Sequence, residues 1–350
     1  MKFLRRLIEK GRISLIILAF ESSCDETAAA VVKDGRTVLS SVIASSADMH
    51  AIYGGVVPEI ASRQHVEAIV GLADEALRQA GISKQDIDAV AVTYAPGLIG
   101  ALLVGVSFAK SVAYGLGVPL IPVHHVRGHI AANYIAHPDL EPPFLCLCVS
   151  GGTTALVDVQ DYTHFQVMGG TRDDAAGECF DKIARVLGLG YPGGGPMDRM
   201  SQGGDDQAFH FPIGHVADHP LDMSFSGLKT AVLNTVHNAG QKGEELDLHD
   251  LAASFAAAVS DSLVPRVMEA DRMLGYHKIA TAGGVAANSR IRADLTHACQ
   301  QAGTRLWMPP LSLCGDNAAM IGCQGYYEYQ AGNTAGWNLN AKASLDISRG

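Results

Sequence analysis

The chain has 350 residues, 48% hydrophobic and 18% charged, enough for one large domain or two of ordinary size around a substantial core. Its formal net charge of −10 excludes a generally basic nucleic-acid-binding surface, so a nucleic-acid partner must be met by a local patch or with another subunit's help. Seven cysteines, Cys24, Cys146, Cys148, Cys179, Cys299, Cys314 and Cys323, form no CxxC pair and several lie in apolar runs. That excludes a zinc ribbon or a disulfide framework and predicts buried free thiols in a reducing cytoplasm.

In chain order, Lys2, Arg5 and Arg6 precede apolar residues in the manner of a signal peptide. The run from Leu15 to Phe20 is too short for a full apolar region, and Glu21 follows without an A-x-A cleavage site. Residues 1–12 therefore read as a basic arm before a first lobe spanning 13–143. No segment approaches the roughly 18 uninterrupted apolar residues needed to span a bilayer, so a soluble protein with no membrane partner is expected.

"LIILAF" (15–20) predicts a buried strand, "ESSCDET" a polar turn, and "AAAVVKDGRTVLSSVIA" a hairpin folded at Asp34-Gly35. The scheme recurs with the strand "FLCLCV" (144–149), the small-residue turn "SGGTT" (150–154) and the hairpin "ALVDVQDYTHFQVM". Two such openings predict an internal duplication, with a second lobe over 144–350 whose last helix is a candidate to return to the first. Alternating helices and strands follow each opening. In the first half these are the Pro-initiated helix "PEIASRQHVEAIVGLADEALRQAG", the strand "AVAVTYA", the helix "GALLVGVSFAKSVAYGLG" and the strand "PLIPV". In the second half, the helices "DDAAGECFDKIARVLG" and "DLAASFAAAVSDSLVPRVMEADRML" lead to the strand "KIATAG" and the helix "AANSRIRADLTHACQQAG". Two α/β lobes facing each other would put their strand-end turns at a cleft; one extended doubly wound sheet is the alternative.

Several turns carry chemistry. Ser150-Gly151-Gly152-Thr153-Thr154 can point successive backbone N–H groups at an anion, although such a turn alone is more often only tight. In "TAGGVAANSR" (281–290) a strand ends at Gly283-Gly284, so a flat ligand can approach the backbone, and Asn288 either bonds it or caps the next helix. With the glycine-rich "GYPGGGPMDR" (190–199) these turns favour nucleotide binding, yet neither a Walker motif nor a dinucleotide fingerprint occurs in the right context. In "VHHVRGHIAA" (123–132), His125 and His129 are one helical turn apart, with Cβ atoms roughly 5–6 Å from each other, close enough to share a metal. His124 lies about 100° round the helix and is a poorer partner. Asp316 in "CGDNAAM" is a candidate distant ligand, or else only a helix cap. A zinc peptidase would need Glu directly after the first histidine; Val126 stands there, followed by Arg127. Glu21, Asp25 and Glu26 crowd the first turn, where carboxylates can orient water or an amine.

Taken together, "FESSCDETAAAVV", "YGGVVPEIASRQH", "APGLIGALLVG", "VHHVRGH", "VSGGTT", "DDAAGECFDKIARVLGLGYPGGGP", "SFSGLKTAV", "GGVAAN" and "DNAAM" resemble, in order, the signature segments of the TsaD (Gcp, YgjD) family. The resemblance covers the chain from Leu15 to the helix after Asp316. It implies an α/β actin-like fold related to Hsp70 and sugar kinases, with two duplicated lobes around a nucleotide cleft. The implied activity is transfer of threonylcarbamoyl from threonylcarbamoyl-AMP to N6 of adenosine 37 in tRNAs reading codons that begin with A. It further implies one iron (Fe2+) or zinc ion on His125, His129 and Asp316, and substrate contacts at Cys148, Val149, Ser150, Gly151, Gly152, Asp181, Gly194 and Asn288. ATP is a second candidate nucleotide for the cleft. Implied partners are tRNA, a paralogous actin-like subunit (TsaB) and a small P-loop ATPase (TsaE), in the cytoplasm. No residue is assigned as the catalytic proton acceptor, for which Asp25 and Glu26 are candidates.

Departures from the family pattern are Arg127, where many bacterial relatives have Glu, Thr153 for His, Ala256 for Gln, Gly315 for Thr, and an extra glycine that makes Gly194 and Gly195 alternatives. None touches an implied metal ligand. Rival readings are a small-molecule kinase of the same fold, independent of tRNA, and a nucleotide-regulated scaffold that does not need the histidine metal.

Overall fold

The structure is a computed structural model that describes residues 14–350; the basic arm at 1–12 lies outside the described residues. The first apolar run forms β1 (Ile16–Glu21), every residue of it buried. It pairs antiparallel with β2 (Glu26–Lys33), and β2 pairs with β3 (Thr37–Ser45). The hairpin turns at Asp34 (φ 53°) and Gly35 (φ 77°). Only glycine fits at 35, because an added Cβ would lie 2.5 Å from the Tyr326 ring. On the other side of β1 run two parallel strands, β4 (Ala89–Ala95) and β5 (Leu120–His124), giving the order β3-β2-β1-β4-β5.

A short helix α1 (Ala47–Ala51) precedes the long crossover helices α2 (Pro58–Ala80) and α3 (Ile99–Leu116), which pack on one face of this sheet. Both end at a left-handed glycine, Gly81 (φ 66°) and Gly117 (φ 61°), the usual stop for a helix that must turn back to a strand.

The second half repeats the plan. Strands β6 (Phe144–Val149), β7 (Thr154–Val159) and β8 (Phe165–Gly170) form the antiparallel meander, and β9 (Lys278–Ala282) and β10 (Arg305–Trp307) run parallel beyond β6. The order β10-β9-β6-β7-β8 mirrors the first sheet strand for strand, as expected for duplicated α/β lobes. On its outer face lie α5 (Ala176–Val186), α6 (Gly194–Ser201), α7 (Ser226–Lys242), α8 (Leu248–Leu274) and α9 (Ser289–Ala302) around the largest core cluster. Each fully buried Leu, Ile, Val or Phe there contributes about 1.5–3 kcal/mol.

Two helices fill the space between the sheets. The first, α4 (His125–Ala136), follows β5 without a break. The second, α10 (Ala318–Gln330), comes last in sequence and packs on β1 and β2 of the first sheet as well as on α4. After it, the tail runs back over the first lobe, with Ala335 N–H donating to the Leu120 carbonyl and Lys342 N–H to that of Tyr94, both bonds within 2.9 Å.

Helices Ile99–Leu116 and Leu248–Leu274 are long and apolar enough to cross a bilayer by length and composition. The second is mostly buried in its lobe, and the first packs Leu102, Val106 and Ala109 into the core beside its sheet.

Candidate metal and nucleotide site

The sharp passage from β5 into α4 places His125 at the first helical position and His129 one turn on. His124 is the N-cap, and its Nδ1 accepts the Val126 N–H at 3.2 Å. Its Nε2–H donates to the Leu345 carbonyl at 3.1 Å, which removes His124 from the metal question. The third group arrives from α10. Asn317 is that helix's N-cap, its side chain accepting the Met320 N–H, so the neighbouring Asp316 is not spent as a cap.

Asp316 Oδ1 lies 3.1 Å from His129 Nε2 and 3.5 Å from His125 Nε2. One ligand atom from each of the three residues falls within 4.8 Å of the others, and donors sharing an ion at about 2.1 Å would stand roughly 3–4 Å apart. His129 is 3% exposed, yet neither ring nitrogen makes a hydrogen bond. Leaving such a group unsatisfied costs about 1–3 kcal/mol, so an orphaned, buried imidazole aimed at a carboxylate fits a divalent cation.

His125 is oriented from behind. Its Nδ1 donates to Glu21 Oε2 at 3.1 Å and contacts Ser23 Oγ at the same distance. Glu21, fully buried at the end of β1, is itself fixed by the Ser23 N–H (2.6 Å) and Thr93 Oγ1–H (2.5 Å). This holds the tautomer that presents Nε2 to Asp316. Burial alone would lower the pKa of His125, but the carboxylates of Asp316 and Glu21 hold it well above the ordinary value. Burial would raise Asp316, and the neighbouring imidazoles keep it below the carboxylate range. The pocket thus demands positive charge, as a cation site must.

The position directly after the first histidine, where the zinc-peptidase motif has its glutamate, carries no base. Val126 is buried in an apolar cluster, and Arg127 is pinned by the carboxylate of Glu328.

Beside this centre a cavity of about 430 Å³ opens in the second lobe, lined by residues that include Gly151, Asp181, Gly194, Gly195, Asp198, Arg199, Gly284 and Asn288. Three separate glycine turns of the sequence therefore meet. Gly283 (φ 95°) allows a close approach, since a Cβ there would sit 2.3 Å from the Val149 carbonyl. Gly151 and Gly152 are exposed, while Ser150 closes its own turn: its N–H donates to the Thr153 carbonyl and its Oγ accepts the Thr153 N–H. The side chains of Cys148 and Val149 are buried in two different core clusters, so these residues offer a ligand only their main chain. Asp181 Oδ1 accepts the Gly193 N–H at 2.8 Å, and burial raises its pKa, assisted by the charge of Asp25. Asn288 Oδ1 caps α9 through the Ile291 N–H at 3.1 Å, which leaves its amide NH2 as the donor for a ligand.

Within the glycine-rich stretch 190–199, α6 begins at Gly194, and both Gly194 and Gly195 face the cavity. Asp198 and Arg199, one turn into that helix, were not singled out by sequence because nothing in a glycine-rich turn announces a helix face. Asp198 Oδ1 accepts from Ser289 N–H and Oγ–H, both at 2.8 Å, tying α6 to α9 across the cavity.

The β1–β2 turn lies between the two sites. Asp25 raises Asp181 on one side, and Asp316 together with Asp25 acts on Glu26 on the other. Glu26 is pushed up to about 9 by burial first and by those carboxylates second.

The chain matches, over residues 37–323, the sequence profile of the TsaD family, described as tRNA N6-adenosine threonylcarbamoyltransferase. It is 53% identical over 332 residues to a protein of that name from Clostridium perfringens, covering 95% of this chain and 98% of the relative. A Clostridium botulinum protein of the same name is 52% identical over 334 residues, again covering 95% and 98%. Among solved structures, the Acidaminococcus fermentans (R)-2-hydroxyglutaryl-CoA dehydratase component A superposes with a TM-score of 0.52 at 16% identity, covering 91% of this chain and 98% of that one. T. kodakarensis HypF superposes with a TM-score of 0.59 at 15% identity, covering 91% and 50%. These distant likenesses establish the actin-like fold of two duplicated lobes.

Proposed function

The chain belongs to the TsaD family of tRNA N6-adenosine threonylcarbamoyltransferases, and on that premise we propose that it moves the threonylcarbamoyl group of threonylcarbamoyl-AMP to N6 of adenosine 37 in tRNAs reading codons that begin with A. The observation that carries this reading is the convergence of His125, His129 and Asp316 beside a glycine-lined cavity. An iron or zinc ion on these three residues would supply Lewis-acid stabilisation of charge on the transferring group.

The anhydride is already activated, so no covalent nucleophile on the protein is needed. The tasks left to the chain are to bind, orient and exclude water. The exposed main chain at Gly151 and Gly152 suits the phosphate, where backbone donors would meet the charge that grows as AMP departs. Asp181 suits the ribose hydroxyls, and the amide of Asn288 suits the base or ribose. Glu21 keeps His125 in register. Burial and the neighbouring carboxylates push the pKa of Glu26 up to about 9, and its Oε1 accepts from Ser45 Oγ–H at 3.0 Å.

A paralogous actin-like subunit and a P-loop ATPase complete the proposed assembly. The first-lobe face around α2 and α3 supports a protein partner: Val66 and Val70 are 61% and 54% exposed, Ile99 and Leu103 47% and 41%, and Val70 also lines a groove of about 270 Å³ with Leu77, Phe108 and Val112. Incubation with candidate partners, threonine, bicarbonate, ATP and unmodified tRNA tests the reaction, with the modified nucleoside read by mass spectrometry. Absence of that nucleoside with a metal-loaded, complete assembly would overturn it.

A further inference from the structure

Arg127 stands between the two histidines in sequence, is 2% exposed, and is not required by any step above. Its guanidinium is fully employed. Nη1 donates to Glu328 Oε1 of α10 at 2.9 Å. Nε and Nη2 donate to the carbonyl of Ile347 in the tail, at 3.0 and 2.7 Å. The guanidinium carbon lies 4.7 Å from the ring centre of Phe165, on β8 of the second lobe. Glu328 in turn accepts from Gln324 Nε2 and Asn333 Nδ2 at 2.8 and 2.6 Å.

The placement is specific. All three residues of the metal centre come from α4 and from the turn that opens α10, and Arg127 with Glu328 joins the same two helices. At the adjacent Gly128 the helices approach closely, since an added Cβ would be 2.7 Å from Ile321 Cδ1. The tail closes the other side: Ile347 packs with Val126, Ile130 and Phe165, and Leu345 holds His124, the cap of α4.

We propose that Arg127 is a positioning residue for the metal centre, clamping α4 to α10 and to tail residues 345–347 so that His125 and His129 are held against Asp316. This deepens the metal reading and rests on it. The clamp acts at a distance from the ion. Without it, the rotation of α4 against α10 is freed, and the imidazoles lose their common focus with Asp316 while the cavity of the second lobe, which shares no residue with the network, is untouched.

Removing Arg127 alone strands a buried carboxylate and can unfold the protein, whereas neutralising both members of a buried pair is often tolerated. The test is therefore Arg127→Met/Glu328→Gln, beside wild type and a chain lacking residues 346–350, with zinc affinity measured by competition with a chromophoric chelator well below each protein's Tm. AMP binding is measured in parallel. We expect wild type to bind one zinc, the double variant and the shortened chain to bind it about tenfold more weakly, AMP affinity to stay within twofold, and Arg127→Lys to recover part of the zinc affinity. A folded double variant that binds zinc as tightly as wild type overturns the clamp. A wild type that binds no metal overturns the site reading instead.

Discussion

Glu21 Oε2 and His125 Nδ1 are 3.1 Å apart, a buried carboxylate at the end of the first strand gripping the far side of an imidazole 104 residues later. The pair ties the opening strand of the first lobe to the helix that carries two of the three candidate metal ligands. Replacing Glu21 with Gln keeps the shape and removes the charge. Metal affinity is expected to fall about tenfold to a hundredfold, the usual effect of losing a partner behind a ligating histidine. Chelator competition reads this directly, and an unchanged affinity would show that His125 is oriented without Glu21.

The acidic first turn sets a pH dependence. Glu26 has its folded pKa raised from 4.5 to about 9, so the fold favours the protonated form. Below 4.5 both folded and unfolded chains carry the proton and nothing is lost. Between 4.5 and about 9 the unfolded chain ionises and the folded one resists, so stability falls as pH rises through that window. In metal-free protein, Glu26→Gln is expected to raise Tm by roughly 2–4 °C at pH 8 and to make little difference near pH 4.5. Parallel melting curves for the two proteins across that range would contradict the shift.

Asp181 links the start of α6 to the cavity through its bond to Gly193. Asp181→Ala removes the proposed acceptor for ribose hydroxyls, a charge-assisted bond worth about 1.5–3 kcal/mol. AMP affinity by calorimetry is therefore expected to fall roughly 10- to 150-fold, with zinc binding unaltered. Loss of zinc binding together with AMP binding would mean that the two sites are not separable.

Much of this was legible in the sequence, and what was not has physical reasons. The buried runs 15–20 and 144–149, each followed by a small polar turn, carried the duplication because a strand covered on both faces leaves a continuous apolar signature. The i, i+4 spacing of His125 and His129 carried two of the three candidate metal ligands. Asp316 was legible only as an alternative, a distant ligand or a cap, since an acid beside a helix start is ordinarily a cap; the structure shows that Asn317 takes the capping role. The strand Arg305–Trp307 is too short to show alternation. Helix Ser226–Lys242 buries only Leu228, Val232 and Ala239, too thin a stripe to stand out among polar residues. Nothing near Arg127 in sequence points to its role, because its partners lie about 200 residues on, at Glu328 and Ile347.

The central claim is that a metal held by His125, His129 and Asp316 is needed for threonylcarbamoyl transfer to tRNA. The most direct measurement takes wild type, His125→Ala, His129→Ala and Asp316→Ala, determines metal content per chain, and assays modified adenosine formed from threonylcarbamoyl-AMP and unmodified tRNA with the complete assembly. The account predicts one metal and active transfer for wild type, and loss of both in each folded variant with AMP binding retained. Full transfer by a folded, metal-free variant would contradict it.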